Sequence, residues 1–319
     1  MKRFLNFVVF VLVFFTSVSF SQTYPSKPLR LIIPFPPGGS NDIVGRMAAH
    51  QLGERLGQQV VVDNRGGAGG TIGSEVASKA APDGYTLLLV SVAHAFNPAV
   101  YKKLPYDPEK AFAPVGIIGS GPVALAVHPS LPVNSVQELI ALVRAKPGQL
   151  NYATAGIGSF QHLASELFKL QAQLNMVHIP YKGGGPSMMD VIAGQAHLTM
   201  ASLIQVLPHA KSGKLKVLGT SGTKRSAVLP EVPTIAEALP GYDATNWWGI
   251  VAPAATPAAI LDRLGLELSV VVSSSETRKR LETEGAEILR MTGAEFGRFI
   301  SSEMSKWGKV VKEAGITAE

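Results

Sequence analysis

The feature that most constrains this chain is a repeated unit: a short apolar β-rich run, a glycine-rich turn, then a helical stretch. Alternation of that kind is the pattern of α/β folds with largely parallel sheets. Residues 29–33 read as the first strand, and Pro34-Phe35-Pro36-Pro37-Gly38-Gly39 as its turn. Ser40 or Asn41 then caps a helix whose apolar face includes Val44, Met47, Ala48, Leu52 and Leu56. Residues 59–63 give a second strand, 66–70 a turn, 71–80 a helix and 85–91 a buried strand.

From 112 to 128 the character changes. Two β-rich runs abut with only Gly119, Ser120, Gly121 and Pro122 between them, which reads as the chain leaving one lobe for another. A second series follows: strand 150–154, turn Ala155-Gly156-Ile157-Gly158-Ser159 and helix 160–173, then strand 176–180, turn 182–186 and helix 187–193. Strands at 197–201 and 214–221 complete this lobe, and Asn246-Trp247-Trp248-Gly249-Ile250-Val251 is the return crossing. Helices at 258–274 and 294–313 finish the first lobe. The expected division is 22–121 with 246–319 for lobe 1 and 122–245 for lobe 2.

Residues 1–21 read as an export signal. Lys2 and Arg3 precede an apolar run at 4–15, and Ser19-Phe20-Ser21 offers small residues for cleavage near Gln22. That run is shorter than the ~20 residues needed to span a bilayer. With 46% hydrophobic residues and 16% charged, the remainder has ample material for a folded core. The chain has no cysteine, which excludes disulfides, a lipidated N-terminal Cys and thiolate chemistry. Its net charge of +6, two of it from Lys2 and Arg3, mildly favours anions. The basic residues are scattered rather than clustered with aromatics, so no nucleic-acid partner is expected.

The glycine turns carry the chemistry. A turn that opens directly into a helix leaves main-chain N–H groups unpaired at the positive end of the helix dipole. Such a terminus is an anion receptor made of backbone. The device occurs at 37–42 and again at 154–159, one in each lobe. Neither turn has the lysine of a Walker loop, and Gly67-Ala68-Gly69 is followed by Ile72 where a dinucleotide fingerprint needs its third glycine. The seven histidines, at 50, 94, 128, 162, 178, 197 and 209, never fall within five residues of one another, so no helical metal pair is spelled out. There is no Gly-x-Ser-x-Gly elbow. Ser221-Gly222-Thr223-Lys224 matches Ser-x-x-Lys by chance, since it ends a strand and its partner motifs are missing. No catalytic residue, metal or cofactor is therefore expected.

His94 and His162 fall in or just after turns at the carboxyl ends of strands, where open α/β sheets bind ligands. Each is either a ligand contact or a histidine satisfied by local backbone. Tyr181 either faces the cleft or covers it, and Trp247 and Trp248 either stack on a ligand or fill the core. The candidate ligand-binding set is Phe35, Gly38, Gly39, Ser40, Asp42, Ser91, His94, Thr154, Gly156, Gly158, Ser159, His162 and Tyr181.

These residues resemble the Bug-type solute-binding proteins of tripartite tricarboxylate transporters, over essentially the whole chain from Tyr24 onward. The marks are Tyr24-Pro25 with Lys27-Pro28, the Pro34–Gly39 turn with Asp42, and Asn64-Arg65-Gly66-Gly67-Ala68-Gly69-Gly70. Others are Asp83-Gly84-Tyr85-Thr86-Leu87, His94 with Asn97-Pro98, Leu150-Asn151-Tyr152, and Gly156-Ile157-Gly158-Ser159 with His162-Leu163. Pro180-Tyr181-Lys182-Gly183 and Leu229-Pro230-Glu231-Val232-Pro233-Thr234 complete the set. The resemblance implies a two-lobed, type II-like periplasmic binding fold with two crossing strands that closes on its ligand as a monomer. It implies a small carboxylate held by the two loops through backbone and bridging water, and delivery to membrane subunits of a tripartite tricarboxylate transporter. A ligand sensor for a signalling partner is the alternative on the same fold. One position departs from the family's pattern: Asn41 stands where Ser or Thr commonly precedes the aspartate.

Overall fold

The computed structural model describes residues 24–222, 224–313 and 315–317; the expected export signal at 1–21 lies outside them. In chain order the elements are β1 (Leu29–Ile33), α1 (Ser40–Leu56), β2 (Val60–Asn64), α2 (Thr71–Ser78), β3 (Thr86–Ser91) and α3 (Val92–Val100). They continue with β4 (Phe112–Val127), α4 (Val136–Ala145), β5 (Asn151–Thr154), α5 (Phe160–Ala172), β6 (Val177–Pro180) and α6 (Gly184–Ile192). Then come β7 (Leu198–Ser202), α7 (Leu203–Lys211), β8 (Lys216–Thr220), the single turn α8 (Ile235–Ala238), β9 (Thr245–Pro253), α9 (Ala258–Ser273), α10 (Ser275–Thr283), β10 (Glu287–Ile288) and α11 (Gly293–Glu313).

The chain folds as two sheets joined through β4. In the first, β1 lies between β2 and β3 with all three parallel, and β9 runs antiparallel to both β3 and β4. In the second, β5 lies parallel between β6 and β7, while β7 and β8 both pair antiparallel with β4. Each sheet is thus a parallel trio edged by an antiparallel crossing strand. The expectation of largely parallel sheets is corrected to mixed ones, because a strand that leaves one lobe for the other cannot also serve as a βαβ return.

The abutting runs read at 112–128 are continuous, forming one sixteen-residue strand, β4. It pairs with β9 from Phe112 to Pro122 and with β7 from Val123 to Val127. Gly119, Ser120, Gly121 and Pro122 end its ladder with β9, just after register shifts between Pro114 and Gly116 and between Ile117 and Gly119. Gly116 and Gly119, at those shifts, let the strand bulge and twist without breaking the ladder.

The core follows from strand periodicity. Trp247 and Trp248 are adjacent on β9, so they face opposite sides of the sheet. Trp247 packs with Phe96, Phe296 and Trp307 in a cluster that runs through both lobes, and Trp248 packs with Leu31, Ile250 and Leu268 in a cluster behind the first sheet. Both are fully buried, so each is core and neither is a stacking surface for a ligand. Among the described residues no helix is long and apolar enough to cross a membrane.

Candidate functional site

The carboxyl ends of the two parallel trios face each other, and helices emerge there after β1, β3, β5, β6 and β7. Their first residues line one cavity of about 30 Å³, room for about two water molecules. Gly39, Ser40 and Asn41 come from the start of α1, Ser91 and Ala93 from α3, Ser159, Phe160 and Gln161 from α5, Gly184 from α6, and Ser202 and Gln205 from α7. Five positive helix ends therefore converge on one point. The main-chain N–H groups of Ser40, Asn41, Phe160 and Gln161 find no acceptor among the described residues. No Lys, Arg, Asp or Glu lines the cavity. A site of this composition favours an anion through dipoles and hydrogen-bond donors, without an ion pair.

The first loop is held by Asp42 rather than offering it to a ligand. Its carboxylate accepts from the Gly38 N–H at 3.1 Å and from Asn64 Nδ2 at 2.9 Å, and pairs with Arg46 Nε at 2.9 Å. Burial alone raises a carboxyl pKa, but the hydrogen bonds from Arg46, Asn64 and the Gly38 amide outweigh it and hold Asp42 below the usual range. Asn64 also donates to the Phe35 carbonyl at 2.9 Å, so Asn64 and Asp42 together fix the turn. Neither Ser40 nor Asn41 caps α1: the N-cap is Gly39, and no side chain bonds there. Both residues lie inside the first turn, facing the cavity.

The second loop is braced from behind. Thr154 Oγ1 accepts from the Gly156 N–H at 3.2 Å and meets His178 Nε2 at 2.7 Å. Ser159 caps α5 by accepting from the His162 N–H at 3.3 Å. The His162 ring lies flat on His178 with centroids 4.3 Å apart, and His178 lies on Tyr152 at 5.0 Å. Burial pushes the His178 pKa down to about 4 and also lowers that of His162.

The lobes meet over this cavity. A Cβ at Gly185 would come within 2.8 Å of the Pro37 carbonyl, and one at Gly183 within 2.7 Å of the Pro36 ring, so the glycine run opening α6 lets the proline turn of the other lobe approach. Tyr101 Oη donates to the Ile157 carbonyl at 3.0 Å, closing the mouth from the first lobe to the second. Outside that contact lies a larger cavity of about 990 Å³ walled by Pro36, Pro37, Ile157, Tyr181 and Lys182 among others, and it shares Phe35 and Ala155 with the inner one.

Of the residues singled out from sequence, Phe35, Gly39, Ser40, Ser91 and Ser159 line the inner cavity. Gly38, Asp42, Thr154, Gly156 and His162 take part in the hydrogen bonds that hold its two loops, Gly158 lies against the Tyr101 ring, and Tyr181 stands at the mouth. His94 lies one layer back. Its Nε2 is 3.2 Å from the Pro108 carbonyl, its ring packs edge-on to Phe112, and burial pushes its pKa down to about 4. Sequence reasoning did not select Gln161, Gly184, Ser202, Gln205 and Asn246. They form a polar floor: Gln161 Nε2 donates to Gln205 Oε1 at 3.3 Å, Ser187 Oγ to Gln161 Oε1 at 3.1 Å, and Asn246 Nδ2 to Ser202 Oγ at 3.1 Å. The missed signal was a polar or glycine residue at a helix start: Gln161 is the second residue of α5, Gly184 the first of α6, Ser202 the N-cap of α7 and Gln205 its third residue, while Asn246 is the second residue of the crossing strand β9.

Comparison with known proteins fits this geometry. The sequence profile of the family described as "Tripartite tricarboxylate transporter family receptor" matches residues 44–316. Protein BugT of Bordetella pertussis (strain Tohama I) is 37% identical over 298 residues, 92% of this chain and 91% of that protein. Among solved structures, R. palustris Rpa4515 with adipate is 36% identical with a TM-score of 0.90, covering 92% of this chain and 100% of that one. MatC (Rpa3494) from Rhodopseudomonas palustris with bound malate is 31% identical with a TM-score of 0.86, covering 90% and 100%. That family is one of solute-binding receptors rather than enzymes. A profile match over most of the chain, with a relative this similar along nearly its full length, establishes that this chain belongs to the tripartite tricarboxylate transporter receptors, the Bug-type periplasmic solute-binding proteins.

Proposed function

We propose that this protein captures a small carboxylate-bearing solute between its two lobes and passes it to the membrane subunits of a tripartite tricarboxylate transporter. It reaches the periplasm through a cleavable signal at 1–21 and works as a single chain. The observation that carries the reading is the convergence of five helix N-termini on a cavity without charged side chains. The bound adipate and malate of the structurally similar receptors support a carboxylate as the anion. We take the lobes as 22–121 with 246–319 and 122–245, supported by the partner change of β4 between Pro122 and Val123. In this account Ser40, Asn41, Phe160 and Gln161 contact the carboxylate through their main-chain N–H groups. Phe35 covers it, and Asp42, Thr154, Ser159 and His162 set the loops.

The test is a thermal-shift screen of dicarboxylates, tricarboxylates, hydroxy acids and aromatic acids, followed by titration calorimetry of the best acid against its primary amide. The amide loses the charge and one acceptor, so it should bind at least about tenfold more weakly, a difference of ~1.4 kcal/mol. Equal affinity for acid and amide, or no stabilisation by any acid, would refute the reading.

A further inference from the structure

Resting on that reading, the structure also speaks to which carboxylates fit. Asn41 is the second residue of α1, on the same turn whose N–H groups point into the cavity. The residue is 9% exposed, and its Oδ1 is buried without a hydrogen-bond partner among the described residues. The side-chain amides across the cavity differ: Gln161, Gln205 and Asn246 are each tied to a neighbour. Among the described residues, no hydrogen bond reaches Asn41 Oδ1 from Ser40 or Ser91, whose hydroxyls share the cavity wall. A buried carbonyl oxygen held this way carries a desolvation cost unless something in the cavity donates to it.

A carboxylate cannot be that donor, because ionised it only accepts. Apart from a bridging water, the donor is an O–H or N–H of the ligand, within reach of Asn41 while the ligand's carboxylate sits on the adjacent N–H groups. Reach from one helical turn is short, which places the donor on the carbon next to the carboxylate. An ammonium there would be buried with no counter-charge from the protein, since no Asp or Glu lines the cavity and the nearby Asp42 is already bound by Gly38, Asn64 and Arg46. A hydroxyl needs none. We propose that Asn41 is a specificity-determining residue that accepts a hydrogen bond from a 2-hydroxyl group, so that the site prefers 2-hydroxycarboxylates to the matching deoxy and 2-amino acids.

The experiment is titration calorimetry with matched sets in the four- and five-carbon series: malate, succinate and aspartate; 2-hydroxyglutarate, glutarate, glutamate and 2-oxoglutarate. The wild-type protein should bind the 2-hydroxy acid at least about tenfold more tightly than the deoxy and amino acids. Asn41→Leu should reduce that preference to below about twofold, and Asn41→Thr should retain part of it. The wild-type comparison stands even if Asn41→Leu fails to fold. Equal binding of hydroxy and deoxy acids by the wild type, or a preference that survives in Asn41→Leu, would overturn the assignment. So would a preference for 2-oxoglutarate over 2-hydroxyglutarate, which would put Nδ2 rather than Oδ1 toward the ligand. If none of the seven acids binds, this inference falls with them. The proposed function falls only if the wider screen also fails, so the two failures are distinguishable.

Discussion

At the residue scale, the clearest finding is that the glycine turns do two jobs. From sequence they read as places where a ligand approaches backbone. Gly158, at φ +70, shows the second job: a Cβ there would lie 2.8 Å from the Tyr101 ring and hydroxyl. The glycine makes room for the other lobe's tyrosine as well as for a ligand. Gly158→Val should therefore weaken binding of the best acid by more than tenfold by propping the mouth open, besides straining a left-handed backbone. The double variant Gly158→Val with Tyr101→Ala should recover part of that loss. Calorimetry showing an unchanged affinity for the single variant would remove this loop from the site, and no recovery in the double variant would point to strain alone. The charges nearest the turns have other duties: Arg46 pairs with Asp42, and Arg65 with Asp63.

At the element scale, the unit behind the second loop is β5, β6 and α5, tied by the stack Tyr152, His178 and His162. The groups facing the two histidines are Thr154 and Tyr152 on β5 and Glu166 and Lys169 on α5. Lys169 Nζ lies 2.8 Å from Glu166, which in turn accepts from Tyr152 Oη. Burial outweighs Glu166 and holds both histidines neutral, with His178 near 4. A histidine whose folded pKa lies below its unfolded value of about 6.5 leaves the unfolded chain binding more protons between the two. Its stabilising contribution is complete above pH 6.5 and is lost as pH falls toward 4. Melting temperatures across that window should drop in the wild type and drop less steeply in His178→Phe, which keeps the stack but cannot ionise; parallel curves would refute this. His94, also near 4, adds to the drop in both proteins equally. The same scale shows what the sequence made legible. Helices opened by glycine turns, such as α1 and α5, were readable because glycine punctuates the period change. Helices α3 and α7 were not: Ser91 and Ser202 are each the last residue of a strand and the N-cap of a helix, with no turn between to mark the switch. Pro186 hid the start of α6, because proline is tolerated in a first turn whose N–H groups are unpaired anyway. Ser202, Gln205 and Gly184 were missed for these reasons.

At the scale of the whole molecule, function follows from symmetry of architecture. Each lobe sets a parallel trio with its central strand feeding a glycine turn, and β4 and β9 bring the two trios face to face. The five helix ends are then distributed over both lobes, so under the proposed function a bound anion would be fully surrounded only when the lobes meet, as Tyr101 and Ile157 do here. Each helix end contributes moderately, about 0.3–2 kcal/mol, and no single charge dominates. A crystal structure of the protein with its best-binding acid tests this most directly. The account predicts carboxylate oxygens about 2.7–3.2 Å from main-chain nitrogens at the starts of both α1 and α5, directly or through one water, with no lysine or arginine nitrogen within about 4 Å. A carboxylate clamped by Arg46, Arg65 or Lys182, or one touching a single lobe only, would contradict it.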